Sequence, residues 1–247
     1  MVDRRSHRGP HPEDHRLFAP EAAAVLCRAG TDLCWLLSRG YSQKSALKLV
    51  GDRYELVARQ RTAVGRTACG DADSAARQAR RIDPHELEGR PLWIDGYNVL
   101  TTIEAALAGG VILHARDGAY RDMASMHGSY RKVEETLPAL KLLAKVTTAL
   151  DPSECVWYLD RPVSNSGRLR GIMQELAAAG GWRWQVRLVA DPDATLADAQ
   201  GAVVATADSA ILDRCGPWLN LARQTVAQHI PQAWVVGLGD ESADRTS

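Results

Sequence analysis

The sequence predicts an α/β protein: a mostly parallel sheet sandwiched by helices, preceded by a small all-α, helix-turn-helix-like domain. Two observations predict this. Beyond residue 88, short apolar runs alternate with segments of helical period, the pattern of strands joined by crossover helices. Before that point the apolar residues recur only at helical spacing.

The order is as follows. Residues 1–15, with Pro10, Pro12 and mixed charges, are expected to be a flexible arm with nothing to bury. Pro20 to Leu37 is helical, with Gly30-Thr31-Asp32 either a break or a fresh N-cap. Gly40 ends one helix and Ser42 caps the next, and a third carries Tyr54 to Val64. Residues 70–74 read as a loop and 77–81 as a polar segment, which places a boundary near residue 88. The expected domains are therefore a basic helical unit over 16–88, an α/β unit over 89–240 and a flexible tail over 241–247.

The α/β unit opens with a strand at 92–95 and a short helix over 101–108. Val111–Leu113 is an edge strand or hairpin arm. It leads into a polar insertion holding His114, Arg116, Asp117, Arg121, Asp122, His127 and Arg131, a candidate active-site loop. A helix follows from Pro138, then a strand over Cys155–Asp160 and a helix capped at Ser164-Asn165-Ser166. Trp182 to Leu188 alternates as a strand. Ala202–Thr206 is another strand, Leu219 to Ile230 a helix, and Trp234–Val236 a last strand.

Formal net charge is zero, so the overall balance names no partner, although the first part leans basic and the rest acidic. The five cysteines form no CxxC pair, which argues against a zinc site or a disulfide framework and fits a reducing, cytoplasmic setting. No apolar run approaches the roughly 18 residues of a membrane span, and the start lacks a secretory pattern. Lys44, Lys48, Arg53, Arg59, Arg61 and Arg66 crowd the helical unit. They are either phosphate contacts for nucleic acid or a solvated basic surface.

The strand ends carry the chemistry. Asp95, Asp160, Asp191 or Asp193, and Asp208 each follow an apolar run, and parallel strands deliver their carboxyl ends to one edge. Gathered carboxylates repel unless a cation or proton compensates. Hard oxygen donors suit Mg²⁺ or Mn²⁺, and such ions serve phosphodiester hydrolysis. The competing reading is that each aspartate only caps the helix after its strand. Arg161 to Arg168 offers hydroxyls, an amide and Arg168 at a helix N-terminus, either an anion seat or a plain cap.

Ile94-Asp95-Gly96-Tyr97-Asn98-Val99, Tyr158-Leu159-Asp160, Ala190–Leu196 and Ala205–Ser209 occur in an order that resembles the PIN-like nucleases, most nearly the NYN subgroup, over residues 91–240. The whole chain also resembles an uncharacterised prokaryotic family that joins a small helical domain to such a unit. The resemblance implies Asp95 as principal metal ligand, with Asp160, Asp193 and Asp208 completing the acidic cluster. Asn98 would hold a water or phosphate, and Thr206 and Ser209 would orient carboxylates or phosphate oxygens. The motif favours Asp193 over Asp191. The insertion is long for the subgroup. Within it Arg116 and Arg121 are candidate phosphate contacts and Asp117 and Asp122 candidate neighbours of the metal, against a structural Arg/Asp set. Ser164, Asn165, Ser166 and Arg168 are candidate substrate contacts.

The function expected is a metal-dependent ribonuclease, with Mg²⁺ or Mn²⁺ as cofactor, RNA as partner and DNA as a second choice. The alternatives are a non-catalytic nucleic-acid-binding protein with a degenerate nuclease fold and a small phosphoester hydrolase. The last ranks lowest, because no second aspartate follows Asp95 in an Asp-x-Asp pair. Oligomeric state is open, a homodimer included.

Overall fold

A computed structural model describes residues 8–124 and 130–238. His127, residues 1–7 of the expected arm and the tail 241–247 lie outside the described residues.

Five helices come first: α1 (Asp14–Leu17), α2 (Pro20–Leu37), α3 (Gln43–Arg53), α4 (Ala58–Thr67) and α5 (Asp71–Arg80). Helix α2 runs unbroken through Gly30, because Leu26, Ala29 and Leu33 keep one buried face. Gly30 is there for space: a Cβ would stand 2.8 Å from the Leu238 carbonyl oxygen. The Ser42 hydroxyl caps α3 by accepting from the Ser45 N–H. The expected loop and polar segment over 70–81 are instead one helix, α5. Asp71 and Asp73 sit in its first turn and Arg77 and Arg80 in its last, which suits the helix dipole.

A 3₁₀ turn, Pro84–Leu87, leads into β1 (Leu92–Asp95), α6 (Gly96–Leu107), β2 (Ile112–His114), β3 (Tyr120–Asp122), α7 (Thr136–Ala149) and β4 (Cys155–Asp160). Then come α8 (Ser166–Gly180), β5 (Trp184–Val189), α9 (Pro192–Ala197), β6 (Val203–Ala205), α10 (Ser209–Leu212), β7 (Trp218–Leu219), α11 (Leu221–His229) and β8 (Val235–Gly237). The helix expected over 101–108 starts earlier, directly off β1, because Asp95 is its N-cap. Leu219, expected on a helix, lies on β7.

The main sheet has the order β5-β4-β1-β6-β7, and all its pairs are parallel. Alternate residues face opposite layers. Ile94, Trp157, Leu159 and Ala205 pack under α6, α7, α8 and α11. Val156, Tyr158 and Val204 pack under α9 and α10 with Leu196, Ile211 and Leu212. The chain leaves β1 toward β4 and β5, then returns to β6 and β7 on the other side. The β1/β6 boundary is therefore the point where strand order reverses, the place where open α/β sheets bind ligands.

The last strand, β8, does not join this sheet. It pairs in parallel with β2, which forms an antiparallel hairpin with β3. Val111, Leu113, Met123, Val236 and Leu238 of this second sheet share a core with Leu26, Leu33, Val50 and Val64. The helical segment is thus joined to the α/β segment by common packing. The expected arm is also corrected over residues 8–15. Asp14 is fully buried and bonded by Arg59, Arg8 pairs with the buried Glu104, and His15 stacks on Trp234.

Candidate active site

The register of the sheet brings the site together. Ile94 pairs with Ala205, so the next residues, Asp95 and Thr206, stand side by side at the carboxyl end. Asp95 also pairs with Tyr158, which puts Asp160 two residues beyond on the neighbouring strand. Above these ends opens a cleft of about 770 Å³. Its floor includes Asp95, Asn98, Asp160, Asp193 and Asp208, and its other wall comes from the helical segment through Tyr41, Gln43, Arg66 and Asp73. Asp191 does not line it. That residue caps α9, accepting from the Ala194 N–H at 2.9 Å.

Asp95 is the most constrained of these acids. It is buried, with Oδ2 accepting from the Thr206 hydroxyl at 2.8 Å and Oδ1 from the Asn98 N–H at 3.4 Å. Burial raises its pKa to about 7. The Thr206 bond works against that rise, and the charges of Asp208 and Asp193 add to it. Burial also raises Asp193, helped by the charges of Asp208, Asp160 and Asp191. Asp160 is raised by burial and by Asp191, against its own backbone N–H. These acids therefore feel one another across the cleft. Their caps and their cleft positions coexist: Asp208 accepts from the Ala210 and Ile211 N–H groups through Oδ1 while lining the cleft.

Asn98 ties α6 to the β6–α10 turn, since its Oδ1 accepts from the Ala207 N–H at 2.9 Å. The Thr206 oxygen accepts from the Asp208 N–H at 3.0 Å, so its single proton is directed to Asp95. Ser209 lines the cleft with its oxygen 3.3 Å from Arg121 and 3.4 Å from Arg77.

Several expected contacts are corrected. Arg121 does line the cleft, but it is buried in a bidentate pair with Asp117 and donates to the Ala207 carbonyl. It holds the turn that carries Asp208. Arg116 pairs with Asp71 and donates to the Cys69 carbonyl, outside the cleft. Ser164, Asn165, Ser166 and Arg168 also lie outside it. The Ser164 carbonyl accepts from Tyr130, the Asn165 amide donates to the Tyr130 carbonyl, and the Ser166 hydroxyl bonds the Arg161 carbonyl. Asn165 and Arg168 border a separate small pocket beside Tyr130.

The basic set is largely occupied as well. Arg59 grips buried Asp14, and Arg61 binds Asp52 and two carbonyls. Arg66 binds the Asp122 and Ala124 carbonyls at the cleft wall. Lys48 and Arg53 make exposed pairs with Asp52 and Asp32, which cost little to exchange. Lys44 is exposed.

Two cleft residues, Arg77 and Tyr97, carried no site role in the sequence, whereas Asp122, expected as a neighbour of the metal, does line the cleft and Asp117, expected there too, does not. Arg77, from the helical segment, bonds Asp117 and Asp213 at 2.7 Å. Burial would raise Asp117, but the charges and hydrogen bonds of Arg121 and Arg77 outweigh it and hold the acid at about 2. Asp122 arrives on β3, held by the hydroxyls of Thr101 and Thr102 at 3.1 and 3.0 Å. Among the described residues, no three His, Cys, Asp or Glu side chains stand close enough to hold a metal ion as they are. None of the described helices is long and apolar enough to cross a membrane.

Comparison with known proteins follows the same division of the chain. Residues 84–224 match the model of a family described as Domain of unknown function (DUF5616). The chain belongs to this family. In this DUF5616 protein, residues 25–80 also match a second model, Protein of unknown function (DUF434). The DUF5616 match begins just before β1 and spans every acid of the floor. The chain is 31% identical over 185 residues to Uncharacterized protein MJ0935 of Methanocaldococcus jannaschii, covering 75% of this chain and 88% of that protein. No solved structure matches it.

Proposed function

We propose that this protein is a metal-dependent nuclease of PIN-like type, acting on RNA phosphodiesters at the acid cleft. One observation carries the reading. Asp95 is buried at the switch point of a parallel sheet, with a pKa near 7 to which the charges of Asp208 and Asp193 contribute. A carboxylate kept in such company stores repulsion that a hard cation would relieve.

The donor chemistry fits Mg²⁺ or Mn²⁺, with Asp95, Asp160, Asp193 and Asp208 as the residues to hold it. The acids would have to draw together on the ion, since no three are pre-closed among the described residues. A divalent ion supplies water activation and charge neutralisation to phosphodiester hydrolysis. The chain does the rest. Thr206 fixes the Asp95 carboxylate, and Asn98 locks the β6–α10 turn. Arg121 holds Ala207 so that Asp208 faces the cleft. Lys44, Lys48 and Arg53 remain at the surface to meet RNA phosphates. Five free cysteines support a reducing, cytoplasmic setting.

The test is cleavage of single-stranded RNA with Mn²⁺ or Mg²⁺, with DNA of the same sequence alongside. Asp95→Asn and Asp208→Asn should both abolish turnover. Wild-type rates in both variants would sink the reading. A non-catalytic nucleic-acid-binding protein is the second reading, favoured by the open spacing of the acids, no three of which are pre-closed among the described residues. It is selected by salt-sensitive RNA binding without cleavage in either metal.

A further inference from the structure

Tyr97 lines the cleft and carries a buried hydroxyl that has no hydrogen-bond partner among the described residues. The residue is 3% exposed and lines the cleft one step past the Asp95-Gly96 corner. Its ring packs on Tyr130, with centroids 5.3 Å apart, inside the main core. The Tyr97 Oη is buried without a hydrogen-bond partner. Buried tyrosine hydroxyls normally find partners, and one left out weakens the fold. A phenylalanine would fill the same space without that penalty.

The surroundings narrow what the missing partner is. Asp160 lies near enough for its charge to act on Tyr97, yet no hydrogen bond joins them. The neighbouring floor is made of Asp95, Asp160, Asp193 and Asp208. The hydroxyl is thus a neutral donor beside the acid Asp160, where a bare anion would be repelled. An anionic acceptor oxygen settles there when a cation comes with it.

We propose that Tyr97 is a ligand-binding residue of the cleft, its Oη donating to a phosphoryl oxygen that a divalent cation brings in beside Asp160. This rests on the nuclease reading for the identity of the phosphoryl group. The orphan hydroxyl itself is independent of that reading.

The experiment uses the full chain labelled with ¹³Cζ-tyrosine, with Tyr97→Phe assigning the Tyr97 signal. Mg²⁺ alone should move that signal only slightly, through the neutralised charge of Asp160, and Mg²⁺ with uridine 5′-monophosphate should move it further. No further movement with both present overturns the proposal. The full movement with Mg²⁺ alone assigns the partner to Asp160 or a trapped water and also overturns it. Melting and kinetics give a second readout. Tyr97→Phe should melt at the wild-type temperature or above. Its kcat on RNA should fall roughly ten- to a hundredfold with KM little changed, the scale of one lost transition-state hydrogen bond. A lower melting temperature with unchanged kcat would mark a structural hydroxyl and overturn the proposal. If the wild type cleaves no RNA in either metal, the nuclease reading fails, while the ¹³Cζ signal still decides the role of Tyr97.

Discussion

The Thr206 hydroxyl donates to Asp95 Oδ2 at 2.8 Å and binds the end of β6 to the end of β1, where strand order reverses. The same oxygen accepts from the Asp208 N–H, so one side chain sets the position of two cleft acids. That bond lowers the Asp95 pKa against its burial.

Thr206→Val keeps the shape and removes the bond. Asp95 should then titrate above its present value of about 7, and less of it should be ionised at neutral pH. A ¹³Cγ titration of the aspartates by NMR reads this directly. Thr206→Ser should restore the original midpoint. An unmoved midpoint in the valine variant would show that the hydroxyl does not act on Asp95.

Asp95 should also make stability depend on pH. Its folded pKa, about 7, lies above the roughly 3.9 of an unfolded aspartate, so the fold favours the neutral form. As pH rises between these values the unfolded chain ionises first, and stability falls by an amount on the order of 4 kcal/mol from this group. Asp95→Asn removes that contribution. From pH 5 to pH 8 the wild-type melting temperature should drop more steeply than the variant's. Parallel curves would mean that Asp95 ionises alike in both states.

The acids that end strands were legible because a parallel sheet turns an apolar run followed by aspartate into a statement about place. Asp193 could be told from Asp191 only by its motif, and the structure separates them by their jobs: one lines the cleft, the other caps α9. Asp122 was weakly marked, because its three-residue strand has no apolar run to announce it. Arg77 and Asp117 meet across 40 residues of chain, a distance at which no local pattern speaks. The partners of two arginines of the basic set were hidden for the same reason. Asp14, which neutralises Arg59, is 45 residues away, and the Asp122 and Ala124 carbonyls that hold Arg66 belong to the hairpin. The helical segment read as separate because its shared core with β2 and β8 forms only in three dimensions.

Asp117 should prove indispensable to the fold. It is 1% exposed and answers two buried arginines, one from the helical segment and one from β3. Asp117→Asn leaves both short of a charge, and breaking a buried pair costs about 3–5 kcal/mol. The urea midpoint at pH 7 should fall accordingly. With its folded pKa depressed to about 2, the wild type holds this contribution above the unfolded value and loses it as pH drops from about 4 toward 2. The variant should lack that acid-side loss. A midpoint like the wild type's would mean the arginines are solvated elsewhere.

Two glycines in helices should respond to alanine in opposite ways. Gly171 lies within α8 with nothing within 4 Å of where a Cβ would stand. Gly171→Ala should therefore raise stability by about 0.5–1 kcal/mol, the gain from a better helix former. Gly96 opens α6 against β4. A Cβ there would meet the Leu159 Cδ2 at 2.5 Å and the Tyr158 carbonyl oxygen at 2.7 Å. The leucine can turn aside, but the carbonyl belongs to the β4 backbone beside β1 and cannot. Gly96→Ala should cost about 1–3 kcal/mol despite its helix propensity, as overpacking does. It should also push Asp95 and Asn98 off the sheet edge, so any metal-dependent cleavage should fall with it. Thermal melts of the two variants side by side test this. If Gly96→Ala melts as high as Gly171→Ala, the helix is not seated on β4 as the geometry requires.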